Sequence, residues 1–186
     1  HVYLLIFPMM FGMMLIADYT TQLIPTTGDL LCPLYKLYTE EFAKLLKSPV
    51  ATIIMTVILA PILEEILFRG IIMKGMINNG TKPLLAIALS AFIFGVVHFN
   101  PWQFAGALLL GLVLGLVYYK TKSLLLSILL HAFNNLISAM LMLYSDSETF
   151  SQLFGISNEI LLIMGIVIFI IPFYFFAIKK NIIYKD

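Results

Sequence analysis

Residues 48–76 read SPVATIIMTVILAPILEEILFRGIIMKGM, an apolar run that holds two adjacent glutamates and, four residues after the second, an arginine. The run is longer than the ~20 apolar residues that a membrane-spanning helix needs. A charged side chain at the centre of a bilayer costs at least ~2.5–3.5 kcal/mol on insertion scales. Glu64, Glu65 and Arg69, the only arginine in the chain, therefore need partners or a task within this segment.

The composition of the whole chain agrees with a membrane location. Hydrophobic residues make up 61% and charged residues 11% of its 186 residues, whereas soluble domains carry about 25% charged residues. The net charge of +1 provides no basic surface for nucleic acid. The single cysteine, Cys32, excludes an internal disulfide and a thiolate metal site. We expect an integral membrane protein.

The apolar segments predict an all-α, polytopic bundle with about six membrane segments. Residues 35–47 show an amphipathic pattern that predicts a helix lying at the membrane interface, with an ordinary extramembrane helix as the alternative. No internal repeat or second domain is visible, so we expect one integral-membrane domain, residues 1–186. The predicted membrane segments are 2–17, 49–77, 83–99, 102–119, 123–143 and 158–178.

The distribution of basic residues predicts the orientation of the bundle. If all six segments cross the membrane, eight Lys and Arg residues lie on one side and three on the other. Because basic residues concentrate in cytoplasmic loops, both ends of this chain are predicted to be cytoplasmic. The chain begins with His1 rather than methionine, so we also expect that a preceding segment has been removed.

Helical geometry divides the roles of the two adjacent glutamates. Glu65 and Arg69 are four residues apart and share a helix face, so they can form an ion pair. Glu64 is turned by ~100° from Glu65 and cannot use the same arginine as easily. The sequence therefore predicts one neutralised carboxylate and one that is free to act as a general base. The alternative is a buried salt bridge that only holds the bundle together.

Two further segments carry polar residues in apolar surroundings. His98 ends the stretch ALSAFIFGVVH and lies four residues after Phe94. His131 and Asn135 are also four residues apart, so an imidazole and a carboxamide project from one helix face. Each could be a hydrogen-bonding residue that only links helices. A carboxylate, a histidine and a histidine–asparagine pair on three segments could also converge on one site.

These three patterns together resemble the CPBP family, which contains the CAAX prenyl proteases of the Ras-converting-enzyme type and the bacterial Abi, or bacteriocin-processing, proteins. The resemblance covers about residues 48–140, which would form the catalytic core. The motifs here are Glu64-Glu65-Ile-Leu-Phe-Arg69, Phe94-Gly-Val-Val-His98 and His131-Ala-Phe-Asn-Asn135. All motif positions are retained.

The resemblance implies an intramembrane endopeptidase that acts on a membrane-associated or lipidated protein or peptide. Glu64 would activate the hydrolytic water, and His98 would position that water or share its proton. His131 and Asn135 would stabilise the oxyanion. The remaining motif residues would support the site from behind: Glu65, Arg69 and Phe94.

Two questions stay open in the sequence. Glu64, His98 and His131 could instead bind zinc, which remains the alternative to a metal-free mechanism. The scaffold could also serve a non-catalytic immunity or regulatory partner of another membrane protein, or a proton-coupled transporter. The short, Lys- and Ile-rich chain predicts a prokaryotic plasma-membrane protein, whose partners would be the bilayer and its substrate.

Overall fold

The computed structural model describes residues 2–145, 147 and 149–178. Within these residues the chain forms helices and no strand, so the all-α fold predicted from the sequence is confirmed. A short 3-10 turn, Val2–Leu5, precedes the first helix. The helices are α1 Ile6–Gln22, α2 Leu31–Leu46, α3 Pro49–Asn78, α4 Pro83–Val96, α5 Pro101–Thr121, α6 Leu124–Tyr144, α7 Phe150–Phe154 and α8 Asn158–Ile178.

Four helices of the described chain are long and apolar enough to cross a membrane: α3, α5, α6 and α8. Their outer faces carry large apolar side chains, such as Ile163 and Ile171 on α8, that are more than half exposed. Such surfaces are stable in lipid, so the chain is an integral membrane protein. Helices α1 and α4 have only 17 and 14 residues, so they fall short of the ~20 expected for a full span.

Helix α4 ends earlier than the predicted segment 83–99. It stops at Val96, and Phe99 adopts a positive φ of 56° before Asn100 caps α5. The side-chain oxygen of Asn100 accepts a hydrogen bond from the backbone N–H of Gln103 at 2.8 Å, and Pro101 occupies the first turn. The third apolar segment therefore stops and turns, with His98 in the turn.

Helix α3 was predicted as a regular α-helix, but it departs from that geometry. Two stretches, Ile53–Leu59 and Ile66–Met73, follow the wider π-helical pattern. The six residues between them, Ala60–Glu65, are α-helical and carry both glutamates. π-Helical turns are rare and occur frequently at functional sites.

Helix α2 begins four residues before the predicted start at residue 35 and packs loosely. None of its residues is fully buried. Its principal ring contacts are with Trp102 of α5: the ring centroids of Tyr35 and Tyr38 lie 4.9 and 6.0 Å from the tryptophan. The helix is present as predicted, and its place at the membrane interface stays a prediction.

Helices α1 and α8 approach each other closely at two glycines, Gly12 and Gly165. A Cβ atom built on Gly12 would lie 2.5 Å from the backbone nitrogen of Phe169 and 2.8 Å from the carbonyl oxygen of Gly165. A Cβ on Gly165 would in turn lie 2.9 Å from that of Leu15. Small residues let helix backbones approach in this way, which supplies much of the packing energy between membrane helices.

Replacing Gly12 by alanine is expected to destabilise the bundle by about 1–3 kcal/mol, because backbone atoms cannot move aside for the new methyl group. The measurement is the SDS-induced unfolding midpoint of purified protein in mixed micelles. Gly75→Ala is the matched control: a Cβ on Gly75 meets no atom within 4 Å, so this helical glycine should be neutral or gain up to about 1 kcal/mol. Equal midpoints for the two variants would contradict the packing argument.

Candidate active site

The predicted site residues of three helices line one cavity of about 480 Å³. Glu64 comes from α3, His98 from the turn after α4, and His131 and Asn135 from α6. The three sequence motifs therefore converge, although the helix ends and the π-helical stretches were not foreseen. His98 lines the cavity from the turn that follows the early end of α4.

Behind the cavity, Glu65 and Arg69 form the ion pair that their spacing predicts. Arg69 Nη1 donates to Glu65 Oε1 at 2.7 Å, and both side chains are completely buried. Arg69 Nη2 donates to the carbonyl oxygen of Gly111 at 3.0 Å. A Cβ on Gly111 would lie 3.3 Å from Nη2 and 3.0 Å from Ala91, so the glycine leaves room for both the arginine and α4. The hydrogen-bonding capacity of Glu65 and Arg69 is not fully used, because Glu65 Oε2 and Arg69 Nε lack hydrogen-bond partners among the described residues.

His131 lies between the two glutamates. Its Nδ1 is 2.9 Å from Glu65 Oε1, and its Nε2 is 3.7 Å from Glu64 Oε2. A carboxylate oxygen can only accept, so Nδ1 carries the hydrogen of the first contact. The second distance is too long for a direct hydrogen bond. The imidazole is thus held from one side by Glu65, and its Nε2 faces Glu64.

Glu64 differs from Glu65 in both exposure and partners. Its side chain is 32% exposed, whereas that of Glu65 is fully buried. Glu64 lines the cavity, and Glu65 does not. The ion pair predicted for Glu65 and Arg69 is present, and Glu64 faces the open space. The role of Glu64 as a general base stays a prediction.

Phe94 links the other motif residues. Its buried ring lies edge-on to the rings of His98 and His131, with centroids 5.1 and 5.7 Å away. The guanidinium carbon of Arg69 lies 4.8 Å from its centroid, a distance at which the ring face attracts a cation. Phe94 also contributes its carbonyl oxygen, 2.8 Å from His98 Nδ1. That carbonyl can only accept, so a neutral His98 carries its hydrogen on Nδ1 and has a lone pair on Nε2.

Asn135 binds the π-helical part of α3. Its Nδ2 donates to the carbonyl oxygen of Thr56 at 2.7 Å. In the π-helical pattern this carbonyl would pair five residues later, with Pro61, which has no N–H. The proline thus frees a carbonyl oxygen that Asn135 occupies. The neighbouring Asn134 donates to Asn135 Oδ1 at 2.9 Å and also lines the cavity.

The arrangement of side chains does not reproduce the alternative zinc site. Among the described residues, no three His, Cys, Asp or Glu side chains are grouped so that they could hold a metal ion. Nδ1 of His98 and of His131 each faces a protein oxygen, which leaves only Nε2 of each ring as a potential ligand. Zinc binding by Glu64, His98 and His131 stays the alternative to a metal-free mechanism.

Several residues that line the cavity lie outside the three motifs and were not predicted as site residues. Helix α1 contributes Asp18 and Thr21, and α2 contributes Tyr38 and Phe42. The amphipathic pattern of α2 predicted a helix but not its partner. The polar residues after Ala17 indicated where an apolar segment ends, but they did not indicate that Asp18 and Thr21 line the cavity.

Comparison with known proteins agrees with this geometry. The sequence model of the family described as "Type II CAAX prenyl endopeptidase Rce1-like" matches residues 46–137, which contain all three motifs. A protein of Bacillus subtilis (strain 168) named "Putative membrane peptidase YdiL" is 31% identical over 97 residues, 52% of this chain and 39% of that protein. The matched part thus spans about two fifths of the relative's length. No solved structure matches the chain significantly. The chain belongs to the CPBP family, as its three motifs predicted.

Proposed function

We propose that this protein is an intramembrane endopeptidase in which Glu64 activates the hydrolytic water. The observation that carries the proposal is the unequal pair of carboxylates around His131. Glu65 holds one ring nitrogen from the buried side, and Glu64 faces the other from the cavity. A water molecule beside the 3.7 Å gap could bond to both Glu64 Oε2 and His131 Nε2.

The proposed reaction begins with proton transfer from this water to Glu64. The oxygen of the water attacks the carbonyl carbon of the scissile bond, and the carbonyl oxygen becomes an oxyanion. When the C–N bond breaks, the leaving nitrogen takes the proton from Glu64. The products are a new carboxyl end and a new amine, and Glu64 returns to its starting state.

The oxyanion needs hydrogen-bond donors close to the attacked carbonyl. His131 serves as a donor when Nε2 carries a hydrogen. Asn135 has a second N–H on Nδ2 besides the one given to Thr56. His98, whose Nε2 has a lone pair, is proposed to accept a hydrogen bond from the water.

The substrate is proposed to be a membrane-associated or lipidated protein or peptide, because the cavity is formed by membrane helices. We further propose a prokaryotic plasma-membrane location with both ends of this chain in the cytoplasm. These proposals rest on the apolar helices and on the excess of lysine on one side of the predicted bundle.

Comparative peptidomics of cell membranes tests the proposed activity. Membranes that contain the wild-type protein are compared with membranes that contain Glu64→Ala at the same level. We expect at least one membrane protein or peptide to remain uncut only with the variant. Identical peptide patterns would favour a non-catalytic immunity or regulatory role, in which Glu64 only packs between helices.

Metal dependence is a separate prediction. We expect purified protein to contain far less than about one equivalent of zinc, and its peptidase activity to survive a strong chelator, since the ligand set is not assembled. Elemental analysis and cleavage assays before and after chelation provide the measurement. Loss of about one bound zinc together with activity, with recovery of both on adding zinc, would overturn the prediction.

A further inference from the structure

Asp18 lies where two cavities of the described chain adjoin. The first is the cavity with Glu64, and the second, of about 770 Å³, extends between α1, α2 and the start of α5. Together they form a cleft with the proposed active site at one end. The residues that line both cavities are Asp18, Thr21, Tyr38, Phe42, Leu46 and Met142.

The charged groups of this cleft are acidic. Among its described lining residues, Asp18 and Glu64 are acidic, and none is a lysine or arginine. Asp18 Oδ2 accepts hydrogen bonds from Gln22 Nε2 at 3.0 Å and from the backbone N–H of Phe150 at 3.3 Å, both of which are neutral donors. The cleft thus holds carboxylates with no fixed cation among its walls.

Asp18 lies just beyond the apolar segment 2–17 and outside the helices of membrane-spanning length. Burial raises the pKa of its carboxyl to about 6, against the opposing effect of the hydrogen bonds from Phe150 and Gln22. At neutral pH the group is therefore mostly ionised. A partly buried negative charge without a counter-ion is stabilised by any cation that enters the cleft.

Aromatic rings surround the same end of the cleft. Tyr35, Tyr38 and Trp102 line the second cavity together with Asp18. Tyr38 and Trp102 stack with ring planes 18° apart, and Tyr35 lies edge-on to Trp102. Aromatic faces attract ammonium and guanidinium groups, and they accommodate the apolar stem of a lysine or arginine side chain.

We propose that Asp18 and these aromatic rings form a subsite for a lysine or arginine side chain of the substrate. This inference rests on the proposed peptidase function and names its substrate class: an apolar segment that carries a basic residue near the scissile bond.

The length of the cleft sets the number of residues between the basic residue of the substrate and the scissile bond. Its lining residues on α6 run from His131 to Met142, which is about 16 Å at 1.5 Å per residue. Asp18 binds Phe150, beyond the end of α6, so it lies at the end away from His131. An extended peptide covers this distance in roughly five residues. Fewer residues are needed when the long side chain of a lysine or arginine extends toward Asp18. The basic residue is expected roughly three to five residues from the scissile bond.

The test uses a pool of synthetic apolar 20-residue peptides, each with one Lys, Gln or Glu at a varied position and a photoreactive group. The full chain with Glu64→Gln is reconstituted in liposomes, so that bound peptides are captured without being cut. Lys peptides are expected to be captured about tenfold better than their Gln twins, since a charge-assisted contact is gained. Equal capture of the two, or capture of neither, overturns the inference.

Variants at Asp18 show whether this carboxylate is responsible. Adding Asp18→Asn should abolish the preference for Lys, and Asp18→Lys should reverse it toward Glu peptides. The matched control is Asp29→Asn, the same change at an exposed aspartate that lines neither cavity, which should keep the preference. An unchanged preference in Asp18→Asn, or its loss in Asp29→Asn, contradicts the assignment.

The wild-type protein and the same peptide pool separate this inference from the proposed function. Cleavage at a constant distance from Lys, lost in Asp18→Asn, supports both proposals. Capture of Lys peptides that depends on Asp18, without any cleavage, supports the cation subsite and overturns the peptidase function. Cleavage with no dependence on Lys supports the peptidase and overturns the subsite.

Discussion

Glu64→Gln is expected to lower the rate of peptide hydrolysis by about three orders of magnitude while leaving the fold intact. A glutamine has the shape of the carboxylate but cannot take a proton from water. Glu64 Oε2 lies 3.7 Å from His131, beyond hydrogen-bond distance, so the substitution breaks no strong contact there. The measurement is single-turnover cleavage in liposomes of a substrate found by the peptidomic comparison.

The matched control for this prediction is Glu41→Gln. Glu41 is an exposed glutamate on α2 that pairs with Lys44 and does not line the cavity. Its substitution should leave cleavage within about twofold of wild type, because exposed ion pairs contribute little. Cleavage by Glu64→Gln at more than about a tenth of the wild-type rate would show that another group activates the water.

The sequence predicted contacts that follow from position along one helix. Glu65 and Arg69 are one helical turn apart, so their ion pair depends only on the local helix. Phe94 and His98 are also four residues apart, and the imidazole of His98 reaches back to the carbonyl oxygen of Phe94, although the helix itself ends at Val96. The apolar runs also located every helix of membrane-spanning length within a few residues.

Contacts between distant segments could not be derived in this way. The bond from His131 Nδ1 to Glu65 joins two helices whose relative rotation depends on packing of the whole bundle. Asn135 meets Thr56 because Pro61 leaves a carbonyl without a donor in a π-helical stretch, and the apolar pattern did not reveal that stretch. Asp18 belongs to the cleft only because α1 packs beside α6.

The buried pair of Glu65 and Arg69 leads to the second large effect. Arg69→Met or Glu65→Gln alone is expected to destabilise the protein by about 3–5 kcal/mol, because each leaves a buried charge without its partner. Both side chains are completely excluded from solvent, and Arg69 also holds Gly111 of α5. The SDS-induced unfolding midpoint in mixed micelles measures the loss.

The double variant Glu65→Gln/Arg69→Met separates support of the fold from support of the chemistry. Removing both charges together should restore more than half of the lost stability, since no unpaired charge remains in the core. Cleavage should nevertheless stay about 100-fold below wild type, because His131 Nδ1 has lost the carboxylate that holds the ring in place. If the stable double variant cleaves like wild type, the ion pair only holds the helices together. If the double variant is no more stable than the single variants, an unpaired buried charge is not what destabilises them. The lost stability then comes from the hydrogen bond of Arg69 to Gly111 and its packing against Phe94.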